Sequence, residues 1–547
     1  MLLDQVVRTS AAVASSPGRL AKVGEIAGLL REVPPGEIPA AVAFLSGELT
    51  QRQIGVGYAA IIDLLGPDGG PGSGPGRDPA ARDLPSPAEP ALTLAEADAA
   101  FGAIGAQSGP GSQAQRRALL RDLLARATEP EREFLIRLVG GELGQGALAG
   151  VMTEAIAAAA AVPAAAVRRA YQVSGSLALV ATTALSGPAD DPARVTEALR
   201  AVRLQVGRPA APMLAASAPT VAAAMERTSP AAVEWKIDGI RIQVHRSGDE
   251  VRVFTRTLDD ITARVPEIVA AARSLSAATA VLDGEAVALA PDGRPRPFQV
   301  TSARTASQGD ADRLAGQTPL TPFFFDLLHA DGSDLLDAPA SERFSRLAGI
   351  APPGLVIPRI VTADLGTAEA FFAEAIGRGH EGVVIKSLDA PYGAGRRGGD
   401  WIKVKPRHTL DLVVLAAEWG HGRRRGWLSN LHLGARDEAT GGLVMLGKTF
   451  KGLTDALLAW QTSRLLELAD PPRPPGSAPQ EHGVVRVRPE LVVEIAFDGV
   501  QASSRYPGGV ALRFARVLRY RDDKPAAEAD TIGAVRALWS GGELEPG

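Results

Sequence analysis

The apolar residues of this chain change their spacing once, near Val206-Gly207-Arg208-Pro209, and this change constrains the fold more than any other feature. Before it, aliphatic residues recur at intervals of three and four, as in Leu20 to Leu30 and Arg117 to Leu124. Such spacing gathers them on one face of a helix. After Pro212-Met213-Leu214, apolar and polar residues alternate, which is typical of half-buried strands. We therefore predict helices up to residue 207 and sheets beyond it.

The strand-rich part divides again at about His408. Between residues 208 and 407, alternating stretches surround one predicted helix, Ala368 to Arg378, which indicates an α+β domain. The predicted strand stretches are Val233 to His245, Val251 to Thr255, Ala280 to Leu289, Thr321 to Leu328, Gly382 to Lys386 and Trp401 to Lys405. From 408 to 525, short strands separated by glycine turns fit a small Greek-key barrel. Residues 526–547 form a predicted tail with one short amphipathic helix.

Two kinds of loop interrupt the helical region. The segment from Gly66 to Pro90 is rich in Gly, Pro and Ser, so we expect a flexible linker there. The turns Gln53 to Gly57 and Gly141 to Gly146 are either plain helix junctions or places where backbone amides approach a phosphate. A Pro-rich insertion at Pro471 to Pro479 interrupts the barrel in the same way as the linker interrupts the helices.

Composition excludes several kinds of site. The chain has no cysteine, which removes disulfides, thiolate zinc sites and cysteine nucleophiles, and we expect an intracellular protein. Its seven histidines are scattered, which argues against a histidine-based metal site. A net charge of −4 implies that any polyanion site is a local patch. We see no secretory signal, and the Ala-rich stretch Val151 to Val167 contains Glu154 and Pro163, so it predicts a helix pair rather than a membrane span.

Lysine is scarce in this chain. Of 58 basic residues only eight are lysines, at positions 22, 236, 386, 403, 405, 448, 451 and 524. An amine can lose its proton and act as a nucleophile, whereas a guanidinium stays charged. Lys236 lies in Glu234-Trp235-Lys236-Ile237-Asp238-Gly239-Ile240-Arg241. It is either a nucleophile that attacks a nucleotide phosphate or a half-buried strand lysine in an ion pair.

Attack on the α-phosphate of a nucleoside triphosphate needs an amine, cations, a metal held by carboxylates, and a pocket for base and ribose. The strand ends of the middle domain offer each of these. Lys236 is the candidate amine, and nearby cations are expected to lower its pKa and to neutralise the phosphate: Arg241, Arg256, Lys403 and Lys405. Asp238 and Glu381 are candidate metal ligands. Glu285 is a candidate acceptor for ribose hydroxyls, and Phe325 a candidate stacking partner for the base.

The order of these motifs carries a resemblance to a known family. KxDGxR, DGE, FFFD, EGVVIK and WIKVK, in this order, resemble the signature of the covalent nucleotidyltransferase superfamily, which includes polynucleotide ligases and messenger-RNA capping enzymes. Leu512 to Lys524 resembles the last motif of the ATP-dependent DNA ligases. The helical region resembles the DNA-binding domain that larger ligases place before the catalytic core. The resemblance implies an all-α DNA-binding domain (1–207), an ATP-grasp-like nucleotidyltransferase domain (208–407) and an OB-fold (408–525).

The resemblance also implies a role for each residue. Lys236 would carry the adenylate, Glu234 would contact adenine, Phe325 would stack on it, and Arg241 and Glu285 would contact the ribose or phosphate side. Further residues would line the ATP site: Arg256, Arg397, Lys403 and Lys405. Arg396 is an alternative to Arg397, and Lys405 would share the phosphate with Lys403. The last motif would orient the leaving pyrophosphate through Arg513, Arg516, Asp522 and Lys524. The DNA-facing side of the OB-fold, or else a solvated basic surface, would comprise Arg423, Arg424, Arg425, Lys448 and Lys451.

The implied function is that of an ATP-dependent DNA ligase acting in replication, repair or recombination. With Mg²⁺, Lys236 takes AMP from ATP, AMP passes to the 5′-phosphate at a nick in duplex DNA, and the 3′-hydroxyl displaces it. Phosphate contacts that do not read sequence would make DNA binding weaken steeply with salt. We expect a monomer in the cytoplasm, associated with the nucleoid and not with a membrane.

Four alternatives compete with this interpretation. A GTP-using capping enzyme shares the lysine, the Asp-Gly pair and the OB-fold, but lacks the long helical region and the last motif. An NAD-dependent ligase carries a four-cysteine zinc module, and this chain has no cysteine. An RNA ligase usually lacks this combination of flanking domains. A non-catalytic DNA-binding scaffold would have lost motif residues, and those needed for the chemistry are all present.

Overall fold

A computed structural model describes most of the chain. The described residues are 1–16, 18–51, 54–56, 86–141, 143–145, 149–187, 191–307, 309–393, 397–406, 408–421, 424–471 and 483–539. The predicted linker and the Pro-rich insertion lie almost wholly outside these residues. Both glycine turns lie partly outside them, because Gln53, Gly57, Glu142 and Gly146 are not described. A phosphate contact at either turn therefore stays a prediction.

Helices fill the described part of residues 1–207. They are Leu3–Ser15 (α1), Arg19–Glu32 (α2), Ile38–Leu45 (α3), Leu94–Gly105 (α4), Ser112–Arg126 (α5), Glu129–Val139 (α6), Ala149–Ala159 (α7), Ala164–Ser174 (α8), Leu177–Leu185 (α9) and Pro192–Arg200 (α10). Their aliphatic faces meet in one core that includes Ile26, Phe44 and Phe101. The Ala-rich stretch forms α7 and α8, as predicted. Among the described residues, no helix has the length and apolar character needed to cross a bilayer.

Two five-stranded sheets follow. The strands are Leu214–Ser217 (β1), Ala231–Lys236 (β2), Ile240–Ser247 (β3), Glu250–Thr255 (β4), Thr279–Ala288 (β5), Leu320–Ala330 (β6), Ser333–Asp334 (β7), Arg359–Thr362 (β8), Gly382–Ser387 (β9) and Arg397–Val404 (β10). One sheet has the order β1-β10-β9-β2-β8 and the other the order β4-β3-β5-β6-β7. The helices are Val221–Met225 (α11), Pro266–Arg273 (α12), Phe298–Ala306 (α13), Ala311–Gln317 (α14), Ala340–Ile350 (α15) and Leu365–Gly377 (α16).

The Asp-Gly turn carries the chain from one sheet to the other. The predicted single stretch from Val233 to His245 is in fact two strands, β2 and β3, which lie in different sheets. Between them, a Cβ on Gly239 would lie 2.3 Å from the carbonyl oxygen of Ala286, so only glycine fits. Lys236 pairs with Gly382 of β9, where a Cβ would lie 2.1 Å from the carbonyl oxygen of Val404. Two close backbone approaches therefore fix the end of β2, where Lys236 lies.

The third part is rich in strands. Its elements are His408–Trp419 (β11), Leu428–Arg436 (β12), Leu443–Thr449 (β13), Asp455–Glu467 (α17), Val484–Arg486 (β14), Val492–Phe497 (β15), Gly499–Ala502 (β16), Val510–Arg513 (β17) and Arg516–Tyr520 (β18). Its main sheet has the order β13-β12-β11-β15-β18, β14 pairs with β11, and β16 pairs with β17. The predicted succession of an all-α part, an α+β part and a strand-rich part, here called the OB-fold after the prediction, is confirmed.

The described part of the predicted tail belongs to this third part. Ile532 and Val535, on the helix Ile532–Ala537 (α18), are buried in the same core as the strands. The amide of Asp530 donates to the carbonyl oxygen of Asp411 at 2.8 Å, and the amide of Arg436 donates to that of Asp530 at 3.0 Å. The expectation of a separate tail from residue 526 is therefore wrong for residues 526–537, because their apolar side chains complete the core of the OB-fold.

The helical part packs directly on the two five-stranded sheets, which are called the catalytic sheets below for the role predicted from their motifs. Val173 of α8 and Leu204 share a buried cluster with Met213, Tyr392 and Trp401. At the same place, Nε2 of Gln172 donates to the carbonyl oxygen of Tyr392 at 2.5 Å. The N-terminal helices therefore support the region of the α+β part that forms one wall of the cleft described below.

A buried ion pair between α15 and β6 gives a test of the packing within the α+β part. Arg343 and Asp326 are both fully buried and meet at 2.7 Å. Replacing Arg343 by Met leaves the carboxylate uncompensated, so we expect a loss of about 3–5 kcal/mol in the free energy of unfolding. Urea denaturation followed by tryptophan fluorescence measures the loss.

The control is Arg346→Met on the same helix. Arg346 pairs with Glu342 in solvent, with side chains 46% and 43% exposed, and such pairs contribute only about 0–1 kcal/mol. Equal losses in the two variants would show that the buried pair has no special role.

Candidate active site

A cleft of about 820 Å³ lies between the two catalytic sheets and the β16–β17 hairpin of the OB-fold. Lys236 projects into it from the end of β2. Most of the predicted site residues line the cleft: Glu234, Lys236, Asp238, Arg241, Arg256, Glu285, Phe325, Glu381, Lys403, Lys405 and Arg513. They come from strand ends and turns far apart in sequence, and the two sheets bring them together.

Lys236 lies beside a carboxylate. Its Nζ is 2.6 Å from Oε2 of Glu381, and its side chain is 24% exposed. Burial lowers the pKa of Lys236, but the negative charges of Glu381, Glu285 and Asp238 outweigh burial, so the pKa is raised above its ordinary value. The expectation that neighbouring cations lower this pKa is therefore wrong for this arrangement, because carboxylates surround the amine more closely than cations do.

The carboxylates around Lys236 are themselves paired with cations. Asp238 accepts from Arg513 at 2.6 Å, and Oε1 of Glu381 accepts from Lys405 at 2.7 Å. Burial raises the pKa of Glu381, but the positive charges of Lys236 and Lys405 outweigh it and lower the pKa. Burial raises the pKa of Glu285 to about 7, against the opposing charges of Lys236 and Arg241. Positively and negatively charged side chains therefore alternate along the cleft.

Asp238 and Glu381 remain a pair of candidate ligands for a cation. Within the described ranges, no group of three or more His, Asp or Glu side chains is arranged to hold a metal ion. A metal at this place would therefore take part of its coordination from a bound phosphate or from water, which is the usual arrangement for Mg²⁺.

The wall for the base combines a ring with a buried carboxylate. Phe325 is half-buried and stands edge-on to Trp401, with ring centroids 5.8 Å apart. The carboxylate of Glu234 is buried and ion-paired with Arg359 and Lys386, each at 2.6 Å. The two residues predicted to contact adenine thus lie on one wall, and Glu234 is held by two cations that the sequence did not assign to it.

The remaining predicted ATP-site residues differ in placement. Arg241 is held by Asp283, with Nε donating at 3.0 Å and Nη2 at 2.6 Å, so its guanidinium forms part of the wall. Arg256 is exposed at the cleft. Arg397 begins β10, but its side chain is not among those described, and Arg396 lies outside the described residues. The choice between Arg396 and Arg397 stays open.

The last sequence motif enters the cleft only at its beginning. Arg513 ends β17 beside Asp238, and Phe514 turns the chain with a φ of 55°. Beyond this turn, β18 runs along β15, so Arg516 and Asp522 are exposed to solvent. Lys524 pairs with Asp411 at 2.8 Å, and Asp411 also pairs with Arg521. Arg516, Asp522 and Lys524 therefore do not line the cleft, and their contact with the pyrophosphate stays a prediction.

The residues predicted to face DNA lie on the OB-fold, and those described contact different kinds of group. Nη1 of Arg424 donates to the carbonyl oxygen of Phe450 at 2.5 Å. Lys448 pairs with Glu418, and Lys451 lies 5.4 Å from the centre of the Phe514 ring. Arg425 is described, whereas Arg423 lies outside the described residues. Lys448 is therefore neutralised by a carboxylate, and a DNA contact by this group stays a prediction.

Sequence reasoning missed several residues of the site. Arg359 and Lys386 hold Glu234, Asp283 holds Arg241, and Asp498 pairs with Lys405 at 3.2 Å. For Lys386 a signal existed, since it is one of only eight lysines and ends the EGVVIK motif. Arg359 gave no signal, because a single arginine after a proline is common in surface loops.

Comparisons with known proteins agree with one another. Three family models match: DNA ligase N terminus at residues 80–157, ATP dependent DNA ligase domain at 212–405, and ATP dependent DNA ligase C terminal region at 424–524. A probable DNA ligase of Beutenbergia cavernae is 56% identical over 543 residues, covering 98% of this chain and 99% of that protein. A probable DNA ligase of Mycobacterium avium (strain 104) is 54% identical over 542 residues, covering 98% of each.

The fold also has a likeness among solved structures. The structure named Pmar-Lig_Pre matches with a TM-score of 0.56 and 17% identity, covering 94% of this chain and 99% of that one. At this identity the likeness concerns the fold alone. It extends over the helical part, the two catalytic sheets and the OB-fold.

The charge environment of Lys236 makes a prediction about its reactivity. A raised pKa means that little of the amine is neutral at pH 8, so Lys236 should react slowly with cyanate. Glu381→Gln removes the nearest negative charge, lowers the pKa and increases the neutral fraction, about tenfold for each unit. Peptide mapping by mass spectrometry measures the rate, which we expect to rise in the variant.

The control is Asp292→Asn, which removes an exposed carboxylate whose partner is Arg294. It should leave the carbamylation rate of Lys236 unchanged. If Glu381→Gln reacts no faster than the unchanged protein, Glu381 does not set the pKa of Lys236.

Proposed function

The chain belongs to the ATP-dependent DNA ligases, enzymes that seal nicks in DNA, and we propose that it does so through an adenylate carried by Lys236. One observation carries the proposal: this amine ends β2 inside a cleft that has carboxylates beside it and further cations along its walls. Where arginine supplies most of the positive charge of the chain, a lysine here is the residue that can become a neutral nucleophile.

In the first step, Nζ of Lys236 attacks the α-phosphorus of ATP. An N–P bond forms, the bond between that phosphorus and the bridging oxygen breaks, and pyrophosphate leaves with the electron pair. The ammonium must first lose a proton. Glu285 is the acceptor we propose for this proton, because its charge acts on Lys236 and burial raises its pKa to about 7.

We further propose Asp238 and Glu381 as the residues that hold Mg²⁺. Their chemistry fits, because Mg²⁺ prefers carboxylate oxygens and usually shares its coordination with substrate phosphates. When bound, the ion supplies positive charge to the phosphate oxygens. Both carboxylates now accept from cationic side chains, Asp238 from Arg513 and Glu381 from Lys236 and Lys405. The same oxygens can therefore exchange a side-chain cation for a metal ion.

Cations of the cleft would bind the phosphates. Arg256, Lys403, Lys405 and Arg513 line it, and Arg397 is a further candidate from its position on β10. Their charge stabilises the negative charge that builds up around phosphorus in the transition state. We assign the orientation of the leaving pyrophosphate to Arg513, because it is the member of the last motif that lines the cleft.

The opposite wall would bind the nucleoside. Phe325 offers a ring face for stacking and Glu234 offers a carboxylate for the exocyclic amine of adenine. Glu285 and Arg241 lie between this wall and Lys236, a position suited to the ribose hydroxyls and the α-phosphate. Adenine, ribose and phosphates would then follow one another along the cleft towards the OB-fold.

The later steps require nicked duplex DNA. AMP passes from Lys236 to the 5′-phosphate, the 3′-hydroxyl attacks that phosphorus, and AMP leaves as the backbone closes. We propose that the helical part and the basic residues Arg423, Arg424, Arg425, Lys448 and Lys451 of the OB-fold bind the duplex through its phosphates, which makes binding sensitive to salt. We propose a monomer that works on cytoplasmic, nucleoid DNA in replication, repair or recombination.

Replacing Lys236 tests the nucleophile. Lys236→Arg keeps the positive charge but cannot lose its proton, so we expect no covalent adenylate after incubation with α-labelled ATP and denaturing gel electrophoresis. The control Lys22→Arg, in the helical part, should be labelled like the unchanged protein. A labelled or nick-sealing Lys236→Arg variant would show that the nucleophile is assigned wrongly, and labelling from GTP in place of ATP would exclude the ligase reaction.

Replacing Arg513 tests the role of the OB-fold in the first step. We expect Arg513→Ala to slow lysyl-AMP formation about a hundredfold, since it removes a charged donor at the phosphates. Sealing of a nick that already carries AMP should change little, because no pyrophosphate leaves in that step. Both rates are measured on labelled gels.

Arg505→Ala, an exposed arginine next to Tyr506 on the same domain, is the control for adenylation. If Arg513→Ala slows both reactions by the same factor, Arg513 supports the domain and not the departure of pyrophosphate.

A further inference from the structure

The base-binding wall contains two cations that none of the proposed steps uses, Lys386 and Arg359. We infer that they are positioning residues, which hold Glu234 and Phe325 together in the geometry that favours a purine with a 6-amino group. The inference presupposes the proposed role of the cleft in binding ATP and adds the residues that determine its preference for the base.

Glu234 is fixed by a cation on each of its two oxygens. Nε of Arg359 donates to Oε1 at 2.7 Å, and Nζ of Lys386 lies 2.6 Å from Oε2. The side chains of Glu234 and Lys386 are each 2% exposed. Burial of a carboxylate with this little contact with water is costly unless such partners compensate its charge. Glu234 therefore presents hydrogen-bond acceptors in one fixed orientation.

The same two cations also hold the stacking residue. Nη2 of Arg359 donates to the carbonyl oxygen of Phe325 at 2.9 Å, and Nζ of Lys386 donates to it at 3.5 Å. The Lys386 ammonium further lies 4.6 Å from the centre of the Phe325 ring and 4.1 Å from that of Trp401. One cluster thus fixes both the ring that would stack on the base and the carboxylate that would contact its edge.

The two cations occupy different depths. Lys386 lines the cleft together with Glu234, Phe325 and Trp401. Arg359 stands behind this wall, with its guanidinium 3.7 Å from the centre of the Phe344 ring. Lys386 can therefore affect a bound base directly and through Glu234, whereas Arg359 acts only through the groups it holds.

This arrangement discriminates between purines by hydrogen-bond type. A 6-amino group donates to the fixed carboxylate, whereas a 6-oxo group would place a second acceptor against it. A purine with only hydrogen at position 6 neither gains that bond nor meets that repulsion. Sites built around one buried polar group reject ligands that leave the group unpaired. Release of Glu234 should therefore reduce the preference for ATP specifically.

The test compares two nucleotides in lysyl-nucleotide formation: ATP and purine riboside triphosphate, which lacks the 6-amino group. We expect Lys386→Met to lower kcat/KM for ATP, mainly through KM, by roughly tenfold to a hundredfold more than kcat/KM for purine riboside triphosphate. Loss of the contact with Phe325 weakens the stacking of both bases, whereas release of Glu234 affects only the nucleotide with the 6-amino group. Lys386→Met conserves side-chain volume and leaves Arg359 to neutralise Glu234. Lys22→Met, a lysine of the helical part, is the matched control.

A second variant and a folding readout complete the design. Arg359→Lys keeps the charge beside Glu234 but loses the guanidinium that spans Glu234 and Phe325, so the preference for ATP should fall in the same direction. The melting temperature of each variant, followed by circular dichroism, reports whether it is folded.

Equal losses for both nucleotides, or unchanged preference in both variants, would overturn the inference. If the unchanged protein forms no covalent nucleotide with ATP, the proposed function fails, and the inference fails with it.

Discussion

Lys236 and Glu381 meet at 2.6 Å in a cleft that two more charge pairs close, Asp238 with Arg513 and Lys405 with Asp498. Arg513 and Asp498 belong to the OB-fold and their partners to the catalytic sheets. The charged side chains of the cleft therefore neutralise one another. The pairs Asp238–Arg513 and Lys405–Asp498 also hold the OB-fold against the catalytic sheets. A polyanion that enters has to replace carboxylates as the partner of these cations, which couples nucleotide binding to the position of the OB-fold.

Backbone packing decides where these charges lie. Gly239 and Gly382 leave no room for a side chain, because a Cβ on either would approach a carbonyl oxygen within 2.3 Å. They bring the end of β2 against both sheets, so that Lys236, Asp238 and Glu381 converge although Glu381 is far away in sequence. The two glycines in the KxDGxR and EGVVIK motifs thus serve geometry, while the charged residues beside them serve chemistry.

Much of the fold and of the site could be predicted from the sequence. The spacing of apolar residues indicates helices and strands, and the order of the motifs indicates which strand ends come together. The order of the three parts, the family and eleven of the residues that line the cleft were predicted. The family excludes the capping, NAD-dependent and non-catalytic alternatives. The pKa shift of Lys236 was predicted with the wrong sign, since sequence order does not tell whether Glu381 or Lys405 lies nearer to the amine. The ion pair of Lys524 with Asp411 and the role of Arg359 were missed for the same reason: the positions of these residues depend on how β18 and β8 pair with distant strands.

The central claim is that Lys236 alone among the lysines of the cleft becomes adenylated. Lys386, Lys403 and Lys405 share the cleft, so identifying the modified residue tests the claim most directly. After incubation with ATP and Mg²⁺, digestion under conditions that preserve phosphoramidates and tandem mass spectrometry should locate AMP on the peptide that contains Lys236. AMP found on Lys386, Lys403 or Lys405, with Lys236 unmodified, would contradict the account.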